Sequence, residues 1–163
     1  MKKLFAILCA CALLMPAYAQ KIKANKDTEA FRYDIECAGN AVQGAYLVKV
    51  SSYSRNAKIA AEQCAKNAVH GVIFKGFTGT NGCVSQRPLA ANPGVDFEHA
   101  DFFKEFFSDN GEYRKYVSMT AGSQATEKVG RAHRVSMVAT VQKDALRKAL
   151  EAAGVIKSLN AGF

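Results

Sequence analysis

Tryptophan is absent from this 163-residue chain and proline occurs only three times, while 14 Asp plus Glu face 22 Lys plus Arg. Also missing are a phosphate-cradling nucleotide loop, the nucleophile elbow of a serine hydrolase and any zinc-ligand spacing. No common catalytic or metal-binding pattern can therefore be read from it. With 49% hydrophobic and 22% charged residues, the composition is that of a globular domain rather than a disordered, collagenous or coiled-coil chain. The length leaves room for one domain, which excludes multidomain enzymes and long repeat arrays.

Long apolar runs are scarce as well, and the one that exists, residues 4–15, follows Lys2 and Lys3 and precedes the small-x-small step Ala17, Tyr18, Ala19. Charge, apolar run and small-residue step in that order are a secretory signal peptide. The run falls short of the roughly 20 residues that span a bilayer, and Pro16 breaks it. The expected organisation is a signal peptide at 1–19, a flexible Lys-rich leader at 20–29 and a single α+β domain at 30–163, with no integral membrane segment after cleavage. A rival is a lipoprotein signal in which Leu8 to Cys11 is the lipobox and Cys11 the acylated residue. Export places the chain in the periplasm, at the outer membrane or outside the cell.

Five cysteines are present, and two of them, Cys9 and Cys11, leave with the signal. Cys37, Cys64 and Cys83 remain. An oxidising compartment allows one bridge and a leftover thiol, or none, and spacing leaves all three pairings open. The net charge of +8 is concentrated in the last third: nine cations between Arg114 and Lys157 oppose only Glu127, Asp144 and Glu151. Residues 96–112 are acidic, with Asp96, Glu98, Asp101, Glu105, Asp109 and Glu112 against Lys104. Such a dipolar chain can steer an anionic partner or orient self-association.

Strict alternation from Phe31 to Cys37 predicts a half-buried strand, and Gly39 and Asn40 a turn into a second strand over 44–53, with Tyr46, Val48 and Val50 on one face. Ser54 can cap a helix over 55–69 whose small face (Ala57, Ala60, Ala61, Cys64, Ala65, Ala68) lies close to a sheet, leaving Lys58, Glu62 and Lys66 outside. Gly71 ends it, and Val72, Ile73, Phe74 and Phe77 form a short strand, completing a crossover unit. Residues 78–94 form the one long loop, and loops of that length inside a compact domain are often functional. A second helix over 95–108 carries five Phe, a strand over 113–119 follows, a long strand runs over 129–141, and Asp144 caps a last helix that Gly154 closes. The expected fold is a two-layer α+β sandwich of order β-β-α-β-α-β-β-α, with a mostly antiparallel sheet and two to three helices on one face.

Candidate site residues come from the loop and the Phe-rich helix. Five Phe in eleven residues exceed what one buried stripe needs, so Phe102, Phe103, Phe106 and Phe107 are candidates for a partner surface, with Arg87 and Cys83 from the loop. Cys83, beside Gly82, is the expected exposed thiol and with a histidine nearby can serve as a nucleophile; otherwise it pairs with Cys64 or packs. His70, His99 and His133 have no metal-ligand spacing. The row Glu98, Asp101, Glu105 is a solvated acidic face rather than a cation site. The glycines at 76, 79 and 82 lack the Lys-Ser/Thr of a phosphate loop, and the basic last third alternates with core positions instead of interleaving with aromatics. Neither a cofactor nor nucleic acid is expected.

The stretches GAYLVKVSSYS, AVHGVIFKGF, HADFFKEFF and KDALRKALEAAGVIKSLNAGF resemble a family of uncharacterised exported proteins of Bacteroidales bacteria, across nearly the whole chain after the signal. The resemblance implies an envelope or secreted protein of Gram-negative anaerobes and brings no catalytic residues. A second, architectural likeness is to small α+β domains of flagellar-assembly and other outer-membrane lipoproteins, from which the weak lipobox departs. The expected function is a noncatalytic binding or assembly module of the envelope with a protein partner. The alternatives are a small secreted enzyme using Cys83 or a histidine, and an anion-binding module using the basic C-terminal third.

Overall fold

In a computed structural model that describes residues 31–79 and 82–158, the first alternating run forms β1, Tyr33–Gly39, and the next β2, Tyr46–Ser54. The signal peptide expected at 1–19 and the leader expected at 20–29 lie outside the described residues. The two strands pair antiparallel, Tyr33 opposite Ser52 and Cys37 opposite Val48. After them come α1 (Ala57–His70), a π turn (Gly71–Lys75), α2 (Val95–Glu98), α3 (Ala100–Phe106) and a 3-10 turn (Glu112–Tyr116). The chain closes with β3 (Val117–Met119), β4 (Ala125–Val129), β5 (Ala132–Val141) and α4 (Lys143–Ala152). The fold is α+β, as expected.

The five-stranded sheet runs β1-β2-β5-β3, with β4 beside the other half of β5 and every strand pair antiparallel. Register puts Val48, Val50 and Ser52 opposite Ala139, Met137 and Val135. This row faces α1: the Cys64 thiol lies 3.4 Å from Ser52 Oγ and 3.5 Å from the Val135 carbonyl. Asn67 Nδ2 donates to the same Ser52 hydroxyl at 2.8 Å. Ala60, Cys64 and Ala68 are fully buried, because small side chains let the helix backbone approach the sheet and make up in packing what they lack in area. The other sheet face is polar, joined by Ser51 to Ser136 at 2.7 Å, Tyr53 to Asp34 at 2.6 Å and Lys49 to Glu36 at 2.7 Å.

Local expectations are corrected at several places. Asn56, not Ser54, caps α1 by accepting from the Lys58 amide at 3.0 Å; the Ser54 hydroxyl accepts from the Asn56 amide instead. Gly71 does not stop the helix but continues it with φ −62° into the π turn, so Val72 and Ile73 are buried helical residues and no crossover strand exists. Lys66 is buried rather than outward, its ammonium 3.8 Å from Asp109 and 5.7 Å from the centre of the Tyr113 ring. Burial lowers its pKa. The Phe-rich helix breaks at His99 into α2 and α3. Residues 113–116 are 3-10 turn, and only 117–119 are strand.

The long strand expected over 129–141 is a hairpin, with Gly130 at φ 60° supplying the left-handed residue of a two-residue turn between β4 and β5. Asp144 sits in the first turn of α4 without capping it. Its amide instead donates to the Gly44 carbonyl at 3.0 Å, fastening the β1–β2 connection to the helix. Gly154 ends α4 as expected: its amide reaches the Glu151 carbonyl and that of Val155 the Leu150 carbonyl, with Gly154 at φ 70°. That double bond pattern satisfies the last carbonyls of the helix.

Candidate functional site: the disulfide-tied loop and its two clefts

The segment after the π turn folds back on itself at residues 76–88. Phe77 and Gln86 exchange both backbone hydrogen bonds, at 3.0 and 2.9 Å, and the Gly79 amide donates to Ser85 Oγ at 2.8 Å. Gly76 makes the entry, at φ 65°, where a Cβ would lie 2.2 Å from the Gln86 carbonyl; only glycine fits so close to a neighbouring backbone. Beyond it, Leu89 and Ala90 donate to Val72 and Ile73 and enter the core. A parallel bridge from Thr78 to Glu36 lays the loop along the outer edge of β1.

A disulfide between Cys37 and Cys83 completes the attachment. Cys83 is therefore neither a free thiol nor a nucleophile, and its partner is Cys37 rather than Cys64. Cys64 is the leftover thiol, buried against the sheet as the sequence predicts, and burial raises its pKa. The pairing could not be chosen from the sequence because it depends on which sheet edge the loop follows.

Among the described residues, a cleft lies on each side of the loop. The first, about 360 Å³, lies between the loop and the β1–β2 connection and is lined by Tyr46, Leu47, Phe77, Gln86 and Lys143 beneath Val42 and Val84. In it the Tyr46 hydroxyl donates to Gln86 Oε1 at 2.8 Å, its ring meets Phe77 edge-on at 5.2 Å, and the Lys143 ammonium stands 5.5 Å from the ring centre. Val42 is 73% and Val84 74% exposed. The second cleft, about 490 Å³, opens on the other side between Asp34, Ile35, Lys75, Ser85 and Arg87. The Lys75 ammonium lies 3.8 Å from the centre of the Tyr33 ring.

Of the residues singled out in the sequence, Cys83 and Arg87 belong to this loop, while the phenylalanines gather elsewhere and mostly inward. Phe103, Phe106 and Phe107 are buried, packed with Phe74, His70, Tyr113 and Tyr116 at ring separations of 4.8 to 6.1 Å. They are core, because the break at His99 turns α3 into the space under the π turn. Phe102 is half-buried over Phe106, and Phe97, not among the candidates, is 87% exposed. Val42, Val84, Tyr46, Gln86 and Lys143 were missed; each is unremarkable in sequence and acquires a place only when the disulfide joins two distant segments.

His70 shows how this scaffold treats an ionisable group. Its Nδ1 is 2.7 Å from the Tyr33 hydroxyl and its ring packs 4.7 Å from Phe74. Burial, helped by the Lys75 charge, lowers its pKa to about 3, so the imidazole is neutral. Burial likewise moves Tyr33 well above the ordinary phenol range. Among the described residues no group of three His, Cys, Asp or Glu is placed to hold a metal ion, and no helix is long and apolar enough to cross a membrane. No family model, curated protein or solved structure was found to match the chain.

Proposed function

We propose that this chain is an exported, noncatalytic binding module of the cell envelope or secreted space, holding a protein partner at the clefts beside loop 76–88. One observation carries the reading: Val42 and Val84, each about three-quarters exposed, line one cleft, Val84 beside the Cys37–Cys83 disulfide and Val42 in a turn whose carbonyl accepts from the Ala45 amide. Exposed apolar side chains forgo burial unless a partner supplies it. A loop fixed in advance loses little freedom on binding, so more of the contact energy appears as affinity. The disulfide also suits an oxidising compartment, in keeping with the signal-like N-terminus.

Intact mass of the product tests export, with a chain starting at Gln20 expected and a chain still carrying residues 1–19 contrary to it; a diacylglyceryl adduct on Cys11 would instead make it a lipid-anchored envelope protein. For binding, photocrosslinking side chains at positions 42 and 84 are expected to capture the same protein in the producing cell, and Val84→Asp to abolish capture from position 42. Capture of nothing from either position, or capture that Val84→Asp leaves unchanged, would overturn the assignment of this surface.

A further inference from the structure

The cations of this protein are not spread evenly over the sheet. At one end, where β2 runs into α1 and the β4–β5 turn projects, register brings Ser54 opposite His133 and Lys128 opposite the same His133. Arg55, Lys58, Lys128 and Arg131 all reach solvent there, and none of the four forms an ion pair with a described residue. Arg134, beside them, leans on Glu127 at 3.6 Å. Asp34 accepts from Tyr53, and Glu62, one turn along α1 from Lys58, lines the same shallow cleft as Lys58. At the opposite end Lys143 pairs with Asp144 at 2.8 Å and Lys115 with Glu112, whereas Lys148 and Lys157 stand exposed in no ion pair with a described residue. What sets this end apart is that four exposed cations lie on neighbouring segments around one hairpin tip.

The same end carries an apolar point. Val129, 44% exposed, stands between Lys128 and Arg131 at the tip of the β4–β5 hairpin. Cations that can reach lipid phosphates, around an aliphatic side chain that can enter the headgroup layer, are the combination that holds a protein on an anionic bilayer. Nucleic-acid binding would call for a row of exposed rings to stack on bases, and residues 53–58 and 127–134 hold only two aromatic rings, Tyr53 and His133, both half-buried, with the Tyr53 hydroxyl tied to Asp34. We propose that this end of the sheet docks on a membrane surface rich in anionic lipid, leaving the clefts beside loop 76–88 to a second partner. The proposal relies on the export reading only for access to such a surface.

Flotation of the chain beginning at Gln20 with vesicles of equal phosphatidylglycerol and phosphatidylcholine tests it. Binding is expected at about 0.1 M salt and not at about 1 M, where the Debye length drops from about 10 Å to about 3 Å. Vesicles of phosphatidylcholine alone should not retain the protein. Neutralising one cation is worth about fivefold, so Arg55→Gln, Lys128→Gln and Arg131→Gln together should weaken partitioning on the order of a hundredfold. The triple control Lys104→Gln, Lys148→Gln and Lys157→Gln removes equal charge from exposed positions elsewhere and should change it little. Failure to float, equal binding to neutral vesicles, equal loss in both triples, or retention by soluble heparin without vesicle binding each overturns the proposal. None of these variants touches Val42 or Val84, so the membrane surface and the cleft are tested separately.

Discussion

Opening the bridge between Cys37 and Cys83 should cost the domain about 4 kcal/mol. The cysteines are 46 residues apart in sequence, and closing a loop of that size removes unfolded-chain entropy intermediate between about 3 kcal/mol for 15 residues and about 4.7 kcal/mol for 100. The native state loses less. Phe77 and Gln86 keep their backbone pair and Tyr46 keeps its bond to Gln86, so only the tip of the loop is released. Most of the cost therefore arises in the unfolded chain. For a domain of this size the loss corresponds to a fall in Tm of about 10–20 °C. Urea unfolding of Cys37→Ser/Cys83→Ser against the oxidised protein gives the value, and wild type held in dithiothreitol provides a second route. A maleimide should label no cysteine of the native domain, Cys64 alone after unfolding, and Cys37 and Cys83 only after reduction. Native labelling of Cys83 would refute the pairing. A loss under ~1 kcal/mol with the bridge verified by mass would refute the loop-closure reasoning.

Three other outcomes follow from buried groups. Phe103→Ala and Phe106→Ala should each lower stability by about 3–5 kcal/mol, whereas Phe97→Ala should stay within about 0.5 kcal/mol; denaturant midpoints decide, and equal losses would contradict the burial of α3. His70 is neutral when folded, with its pKa near 3 against about 6.5 when unfolded. Its contribution is therefore complete above about pH 6.5 and declines by roughly 1.4 kcal/mol per pH unit as pH falls toward 3. His70→Gln should flatten that part of the stability profile, and an unchanged slope would place the acid sensitivity in other groups. Lys66→Met, which keeps length but removes a poorly solvated charge, should be neutral or raise stability by about 1 kcal/mol in thermal unfolding; a loss of several kcal/mol would mean that the ion pair with Asp109 outweighs desolvation.

Much of the framework was legible in the residues themselves. Alternation marked β1 and β2, a period near 3.6 marked α1 and its inward Cys64, and a glycine marked the end of α4, since each signal is local and is read by the backbone within a turn or a strand pair. Signals that needed a distant partner were misread. The run 72–75 has strand composition but continues α1, because there Phe74 packs on Phe103 of α3 and the Val72 and Ile73 carbonyls accept from Leu89 and Ala90. The alternation over 129–141 had no means of showing that Gly130 reverses the chain and that 125–129 becomes its partner strand. Lys66 reads as solvent-facing from its i,i+4 neighbours, and is buried because residues 109–113 return over α1. The candidate site belongs wholly to this second kind. Cys83 and Arg87 drew attention as loop residues, but the cleft exists only where the loop meets the β1–β2 connection. Neighbouring residues alone set the strand and helix periods, the small-residue face and the uneven charge; contacts between distant segments choose which cysteine Cys83 meets, which phenylalanines are core and which valines are left in water. The physical reason is that periodicity is set by neighbours along the chain, whereas burial and pairing are set by whichever segments, tens of residues apart, lower the free energy by coming together.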